Sequence, residues 1–472
     1  MEVLDQLTLG LRTVWLPLPL LLAAVAALAG LLLGVLPAIG TLGAMALLLP
    51  LVAALPPLEA MIVLMVVHAG AQFGLSMADA GPGEGRIATA TAWGACLGGL
   101  AGMVLLALLA PVATVLAFHF GPHEYAALIL LGLAGSVSMG AGSTLKALAM
   151  VVLGTLLGLQ FATGAAGAAV PSATGLLPLA IGLFVIGEAA SRLARPGEPP
   201  AADEGSAMPA APARAWAPML RGTLIGAVLG ALPGAGPGAA ARAAARLERR
   251  LAVGARGEPA QDEPAEAVAA RVGPSSARSA GTQTVLLPAL ALGLPLDAAM
   301  ALVVGAMVLV GVNPGPQLMV SAPGLFWGWL VVLGMVYPLL LAWQRPLRRT
   351  LGWLARRPPH QWAPAWLLAG VLGLVATDPG GTMLALAIGF GVLGFVCTGL
   401  GAPKAALAVG FVLGPMLLTQ VRHAEQVAVG GWADFATRPL AAGLLTAALA
   451  LLLLGPWLAR RAPARPVAGG PA

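Results

Sequence analysis

The stretch Thr13–Leu58 decides the fold: it reads TVWLPLPLLLAAVAALAGLLLGVLPAIGTLGAMALLLPLVAALPPL and runs for 46 residues without one Lys, Arg, Asp or Glu. A membrane-spanning helix needs about 20 consecutive apolar residues, so this stretch is long enough for two. Three further long runs are equally free of charge: Ile87–His123, Ala147–Gly187 and Ala298–Gln344. Outer-membrane barrels show short segments of alternating polarity instead. The stretch therefore indicates a helical membrane protein.

The composition of the whole chain supports the same class. Of 472 residues only 9% are charged, 59% are hydrophobic, and the mean hydropathy is +0.91, whereas a soluble domain has about 25% charged residues. Counting two passes for each long run predicts an all-α polytopic integral membrane protein with roughly 11–14 membrane segments, some of them broken or re-entrant. The net charge of +6 comes from Arg residues in short loops, which indicates cytoplasmic loops and not a nucleic-acid partner.

A Pro break interrupts the opening stretch and has a partner far along the chain. The first copy is GVLPAIG at residues 34–40, and the second is GALPGAG at residues 230–236. Equivalent positions of the two copies are 196 residues apart, and Gly30 pairs with Gly226 at the same offset. The constant offset predicts two homologous membrane repeats.

A polar, Pro-rich segment separates the two repeats. Residues 191–215 contain five Pro and three acidic residues, a composition typical of an extended connection. The predicted organisation is a first membrane repeat at 1–190, a linker at 191–215, a second membrane repeat with additional C-terminal helices at 216–459, and a basic cytoplasmic tail at 460–472.

Matched breaks inside membrane segments are typical of one function class. Many transporters bind substrate near the bilayer midplane at unwound points, where half-helix N-termini present free N–H groups and a positive dipole end to an anion. Pro and Gly can also kink a helix for packing alone, and the sequence leaves this alternative open for either break. The shared offset favours a functional pair. Because only the second copy has Gly after Pro, at Pro233-Gly234, we expect the second half to dominate substrate contact.

Several short motifs, each weak alone, occur in a specific order along the chain. They are GAQFGLS at 70–76, PGE at 82–84, GPHEY at 121–125, NPGP at 313–316, GAP at 401–403, GFVLGP at 410–415 and FATRP at 435–439. With the two breaks, they resemble the large permease subunit of the tripartite tricarboxylate transporters over essentially the whole chain. The resemblance implies a multi-pass carrier of the bacterial inner membrane, driven by a Na⁺ or H⁺ gradient and without a cofactor. It further implies a small membrane subunit and a periplasmic binding protein that delivers a carboxylate.

The chain departs from that family's pattern at positions that could contact a carboxylate. The first break has Pro37-Ala38 instead of Pro-Gly, and residues 73–76 read FGLS instead of YGGS. In the second half, VGPSSA at 272–277 replaces PEAANN, and LPL at 294–296 replaces IPG. The identity of the substrate therefore stays open. So does the alternative of a diverged, non-transporting membrane subunit or receptor of the same family.

Break residues and polar residues of both halves form the candidate substrate site. They are Pro37, Gly40, Gly74, Ser76, Pro233, Gly234, Gly236, Ser275, Ser276 and Gln283. Ion coupling has two candidates, and each has a structural alternative: His68 as a hydrogen-bonded packing histidine, and Asp297 as an N-terminal helix cap. Lys404 lies close to repeat features, and so does Lys146, which is either a counter-charge for the substrate or a snorkelling lysine at a helix end.

Motifs for catalysis are missing from the sequence. Neither Lys follows a Gly, so the chain has no Walker A motif, and the HEYAA segment at 123–127 lacks the second His of a zinc protease. A Gly-x-Ser-x-Gly elbow does not occur either. The two cysteines, Cys96 and Cys397, lie in apolar runs and indicate neither a disulfide nor a metal site. We therefore expect a transporter and not an enzyme.

Overall fold

The computed structural model describes residues 2–36, 39–80, 85–138, 143–162, 173–195, 215–256, 264–427 and 433–461. Pro37 and Ala38 of the first break, most of the 191–215 linker and most of the C-terminal tail lie outside these ranges. Within them the chain is helical. The helices are α1 Glu2–Val14, α2 Pro17–Val35, α3 Gly40–Ala53, α4 Pro57–Ala80, α5 Gly85–Ala117, α6 Pro122–Ser138, α7 Thr144–Ala162, α8 Ala173–Ile181, α9 Gly187–Ala194, α10 Trp216–Ala231, α11 Gly236–Arg256, α12 Pro264–Thr284, α13 Ala298–Leu309, α14 Gln317–Ser321, α15 Pro323–Ala355, α16 Ala363–Thr377, α17 Thr382–Leu400, α18 Lys404–Val427, α19 Asp434–Thr437 and α20 Pro439–Arg461.

Two short π-helical segments interrupt this pattern. Gly182–Ile186 joins α8 to α9, and Pro288–Leu292 follows α12. A single 3₁₀ turn, Pro359–Gln361, precedes α16. π-Helical turns are rare and occur often at functional sites, and the first of these turns ends two residues before a charged residue, Glu188.

Eight helical segments of the described ranges are long and apolar enough to cross a membrane. They are Pro17–Val35, Pro57–Asp79, Ala88–Ala117, Thr144–Ala162, Gly175–Ala194, Pro323–Leu347, Thr382–Leu400 and Lys404–Val427. Three further apolar helices are shorter: Gly40–Ala53, Ala298–Leu309 and Pro439–Gly455. The prediction of an all-α polytopic membrane protein is confirmed. The exact number of segments and the division into two repeats stay predictions.

Helices α2 and α4 pack together through small residues. A methyl group added to Gly34 would lie 2.1 Å from the carbonyl oxygen of Ala71, and one added to Gly30 would lie 2.7 Å from that of Val67. From the first contact to the second, the position advances by four residues in both helices. The two helices therefore run parallel. Small residues let helix backbones approach closely in a membrane, which explains why these positions are Gly.

The second half repeats this contact between α10 and α12. Gly226 and Gly230 stand 196 residues after Gly30 and Gly34. A methyl group on Gly226 would lie 2.2 Å from the carbonyl oxygen of Ala277, and one on Gly230 would lie 2.6 Å from the Cα atom of Gly281. Each half therefore contains a helix, a break, a second helix, and a third helix that packs parallel to the first.

Gly34→Val is expected to destabilise the protein by about 1–3 kcal/mol, because the added side chain must push apart two helix backbones. Gly399→Val in α17 is the matched control, since open space surrounds the corresponding methyl position of Gly399. The midpoint of thermal unfolding of the purified chain in detergent measures the effect. Equal midpoints for the two variants would contradict the close packing of α2 on α4.

Candidate functional site

A cavity of about 490 Å³ lies where the two predicted breaks meet. The first break contributes Ile39 and Gly40, α3 continues the wall with Thr41 and Leu42, and the second break contributes Gly234. Residues 296–298 and 403–406 complete most of the remaining wall, together with Ser136, Phe184, Glu188 and Val409. Segments about 200 residues apart in the sequence therefore share one site, as the transporter interpretation of the breaks predicts.

The glycines that end the two breaks adopt the same backbone conformation. Gly40 begins α3 with φ +63°, and Gly236 begins α11 with φ +62°. This left-handed region is strained for other L-residues and costs about 1–2 kcal/mol. The match at a spacing of 196 residues agrees with a common origin of the two breaks.

Gly234 is held more tightly than either of these glycines. Its φ is +76°, and its N–H donates a hydrogen bond to the carbonyl oxygen of Leu296 at 3.1 Å. A methyl group on Gly234 would lie 2.1 Å from the backbone carbon of Gly135 in α6. The second break is therefore wedged between α6 and the segment that precedes α13.

Three helices of the described chain begin at the cavity wall. They are α3 at Gly40, α13 at Ala298 and α18 at Lys404. The first N–H groups of a helix have no partner within the helix, and the helix dipole places positive partial charge there. The start of α13 is capped by its own Asp297, so the starts of α3 and α18 are the two ends in this wall that favour an anion.

Asp297 caps one of these helices. Its backbone is extended, and its carboxylate accepts a hydrogen bond from the N–H of Met300 at 2.7 Å. The capping role that the sequence left open is therefore present in the structure. Asp297 also lines the cavity, so its carboxylate lies beside any occupant of the site.

Asp297→Ala is expected to lower the free energy of unfolding by about 1 kcal/mol, because the N–H of Met300 loses its capping partner. Asp297→Asn keeps a capping oxygen and is expected to stay within a few tenths of a kcal/mol of the wild type. Thermal unfolding of the two purified variants provides the measurement. Equal destabilisation by both substitutions would show that the charge of Asp297, and not its cap, stabilises the fold.

An ion pair lies in the wall beside Asp297. The ammonium of Lys404 lies 2.5 Å from one carboxylate oxygen of Glu188, and both residues line the cavity. Arg192, one turn after Glu188 on α9, lies 2.9 Å from the other carboxylate oxygen. Among the described residues that line the cavity, Lys404 is the one cationic side chain.

Five predicted site residues lie in or beside the cavity. Gly40, Gly234 and Asp297 line it. Gly236 adjoins it, because a methyl group there would lie 3.1 Å from a carboxylate oxygen of Asp297. Pro233 packs on Gly135 of α6 beside the break. The remaining predicted break residue, Pro37, lies outside the described residues.

The predicted polar residues of α12 lie elsewhere and hold that helix to its neighbours. Ser275 donates a hydrogen bond to the carbonyl oxygen of Thr91 in α5 at 3.0 Å, and Ser276 donates to that of Met219 in α10 at 2.9 Å. Gln283 donates to the hydroxyl of Tyr337 in α15 at 2.9 Å. A buried Ser or Gln in an apolar setting needs a hydrogen-bond partner. Here a neighbouring helix provides that partner for all three residues.

The predicted residues of α4 also lie outside the cavity wall. Gly74 packs against α2, where a methyl group would lie 2.4 Å from the carbonyl oxygen of Leu31. Ser76 donates a hydrogen bond within its own helix to the carbonyl oxygen of Gln72 at 3.1 Å. His68 is buried, and its ring nitrogens have no hydrogen-bond partner within the described ranges, so the hydrogen-bonded packing role is not what the structure shows.

Lys146 donates a hydrogen bond to the C-terminal end of a neighbouring helix. Its ammonium donates to the carbonyl oxygen of Leu400, the last residue of α17, at 2.6 Å. It does not line the cavity. Of the two lysines, Lys404 therefore has the position of a counter-charge.

Glu188 is the residue of the site that the sequence interpretation missed. A signal for it exists, because Glu188 directly follows the 41-residue charge-free run Ala147–Gly187, and ionisable residues in membrane segments are rare and often functional. Thr41, Ser136 and Phe184 also line the cavity and carry no such signal. Within the described residues, no group of three His, Cys, Asp or Glu side chains could hold a metal ion.

The helical fold and its candidate spans define a polytopic membrane protein, and the cavity lies between segments of its two predicted halves. The sequence model of the tripartite tricarboxylate transporter TctA family matches residues 74–409, well over half of the chain. The chain therefore belongs to this family, and the family resemblance is confirmed. No solved structure matches the chain.

Two relatives come from Agrobacterium vitis. One, described as "Uncharacterized 52.8 kDa protein in TAR-I ttuC' 3'region", is 32% identical over 526 aligned positions that cover 96% of each chain. The other, described as "Uncharacterized protein in TAR-II ttuC' 3'region", is 34% identical over 205 positions that cover 39% of this chain and 75% of the relative. The first relative shows that the similarity extends over nearly the full length.

Proposed function

We propose that the chain is the permease subunit of an ion-gradient-driven secondary transporter that takes up a small carboxylate-type anion. The observation that carries this proposal is the cavity whose wall contains the starts of α3 and α18 together with Lys404. A carboxylate matches both features, since it accepts hydrogen bonds from free N–H groups and pairs with an ammonium. The volume of about 490 Å³ falls in the range of small-molecule sites, roughly 300–1,000 Å³.

The position of the cavity supports alternating access. In many secondary transporters the substrate site lies between repeats, at discontinuous helices, and one repeat moves relative to the other. Here the first break reaches the site through Gly40 and the second through Gly234. A movement of one half against the other would open the site to either side of the membrane.

Asp297 is the better of the two candidates for ion coupling. Its carboxylate lies in the cavity wall, where it could carry a proton or help to hold Na⁺ near the substrate. His68 is buried outside that wall. A coupling ion beside the substrate provides a direct way for one to favour the binding of the other.

The proposal includes two protein partners and a location. A periplasmic solute-binding protein delivers the carboxylate, and a small membrane subunit accompanies the permease in the bacterial inner membrane. The family's description as a tripartite transporter supports a three-component assembly. The eight candidate spans in the described chain support the membrane location.

Uptake into proteoliposomes tests the proposed function. The full chain is reconstituted with its partner proteins, and uptake of radiolabelled citrate, succinate and acetate is measured with an imposed Na⁺ gradient, a proton gradient or neither. We expect at least one carboxylate to accumulate only with a gradient. Binding of a carboxylate without uptake under any condition would favour the non-transporting alternative, and neither binding nor uptake would overturn the carboxylate site.

A further inference from the structure

We infer that Glu188 competes with the substrate for Lys404, and that Arg192 retains Glu188 when the substrate takes Lys404 away. The inference rests on the proposed function, because it assigns the substrate's charge partner in the same cavity. It gives Glu188 the role of a resident carboxylate that neutralises the ammonium of Lys404 before the anion arrives. The ligand that displaces it is therefore a carboxylate or an anion of similar geometry.

The two carboxylate oxygens of Glu188 have different partners. One oxygen pairs with Lys404 at 2.5 Å. The other accepts hydrogen bonds from Nε and Nη2 of Arg192 at 3.0 Å and 2.9 Å. Lys404 can therefore leave without depriving Glu188 of its second partner.

Burial makes this second partner necessary. The side chains of Glu188 and Lys404 are 18% and 16% exposed, whereas Arg192 is 39% exposed. An unpaired charge in a poorly solvated site is strongly unfavourable. Without Arg192, release of Lys404 would leave the carboxylate of Glu188 unpaired. With Arg192 present, that carboxylate keeps one ionic partner.

The placement of the three residues on the helices fits an exchange of partners. Glu188 and Arg192 belong to one helix, α9, at positions i and i+4, so their pairing is maintained by a single rigid element. Lys404 begins a different helix, α18. Among the three, Glu188 and Lys404 line the cavity, and Arg192 does not.

The inference predicts opposite effects for two neutralising substitutions. Glu188→Gln removes the resident competitor and is expected to tighten carboxylate binding about 3- to 10-fold. Arg192→Gln leaves Glu188 with Lys404 as its one remaining ionic partner in the trio, and is expected to weaken binding about 3- to 10-fold. Damage to the fold alone would weaken binding in both cases.

Isothermal titration of the purified full chain with citrate, succinate and acetate provides the Kd values. Glu188→Asp and Arg192→Lys keep the charges and are expected to move the Kd back towards the wild-type value. Glu124→Gln and Arg438→Gln are matched controls, because this pair also joins a buried Glu to an Arg that is about 40% exposed, 43% for Arg438, and lies outside the cavity wall.

The outcomes separate this inference from the proposed function. A lower Kd for Glu188→Gln and a higher Kd for Arg192→Gln, with unchanged controls, support the exchange of partners, and the reverse pair of shifts would overturn it. Shifts in the same direction, or no shift, in a chain whose wild type binds one of the three carboxylates would overturn the inference and leave the proposed function standing. If the wild type binds none of them, both are overturned.

Discussion

Lys404→Gln is expected to weaken carboxylate binding about 100-fold and to abolish uptake. Removal of one member of a buried charge pair costs about 2–5 kcal/mol in binding, and a factor of 100 corresponds to about 2.7 kcal/mol. Lys404 is the cationic side chain of the described cavity wall, so no neighbouring ammonium or guanidinium of that wall can replace it. The helix N-termini remain, and they account for the residual affinity.

Lys146→Gln is the matched control for this substitution. Lys146 also lies near the start of a helix, α7, and its ammonium also contacts another helix, at the carbonyl oxygen of Leu400. It is not part of the cavity wall, so its loss is expected to leave the Kd unchanged.

Lys404→Arg retains the charge and separates charge from shape. It is expected to keep measurable binding, with some loss because the planar guanidinium donates its hydrogen bonds in a different geometry. Titration calorimetry of the three variants with citrate, succinate and acetate supplies the comparison. Indistinguishable Kd values for Lys404→Gln and Lys146→Gln would remove Lys404 from the binding site.

The fold class could be predicted because the bilayer imposes a simple rule on composition. A run such as Thr13–Leu58 has no charged side chain to expose to water, and a continuous apolar run satisfies its backbone within hydrocarbon by forming a helix. The sequence could not predict that α2 packs on α4. The glycines at 30 and 34 indicate a close contact with another helix, but the sequence does not predict which helix that is.

The backbone part of the candidate site could be predicted for a similar reason. A helix break depends on Pro and Gly at the break itself, so the local sequence predicts it. Gly40 and Gly234 of the two predicted breaks line the cavity. Polar side chains are different, because a buried Ser or Gln satisfies its hydrogen bonds in the same way whether it binds a substrate or a neighbouring helix. Ser276 and Gln283 proved to contact neighbouring helices.

The Glu188–Lys404 pair shows what local patterns leave out. The two residues are 216 positions apart in the sequence. They are in contact because α9 and α18 both begin at the same cavity. Each residue alone has the appearance of a charge at the end of an apolar run. Their pairing is a property of tertiary packing, so it emerges only when the helices are placed together.

Gly234→Ala is expected to be the most damaging single-methyl change among the residues of the two breaks. The left-handed backbone at φ +76° costs about 1–2 kcal/mol for alanine. The methyl group would also lie 2.1 Å from the backbone of Gly135, and overpacking of this kind adds about 1–3 kcal/mol. We expect a loss of about 2–5 kcal/mol in the free energy of unfolding, with no detectable carboxylate binding.

Gly40→Ala isolates the backbone contribution in the first break. Gly40 has φ +63°, but nothing lies within 4 Å of its methyl position, so the expected loss is about 1–2 kcal/mol. Thermal unfolding and titration with citrate, succinate and acetate, carried out on both variants, measure the difference. A larger effect at Gly234 than at Gly40 would show that the contact of the second break with α6 adds to the backbone strain. Within the described residues, this contact is the structural basis for expecting an asymmetry between the two halves. Equal losses at the two glycines would mean that backbone strain, shared by both breaks, is the only constraint, and would remove the structural basis for this asymmetry.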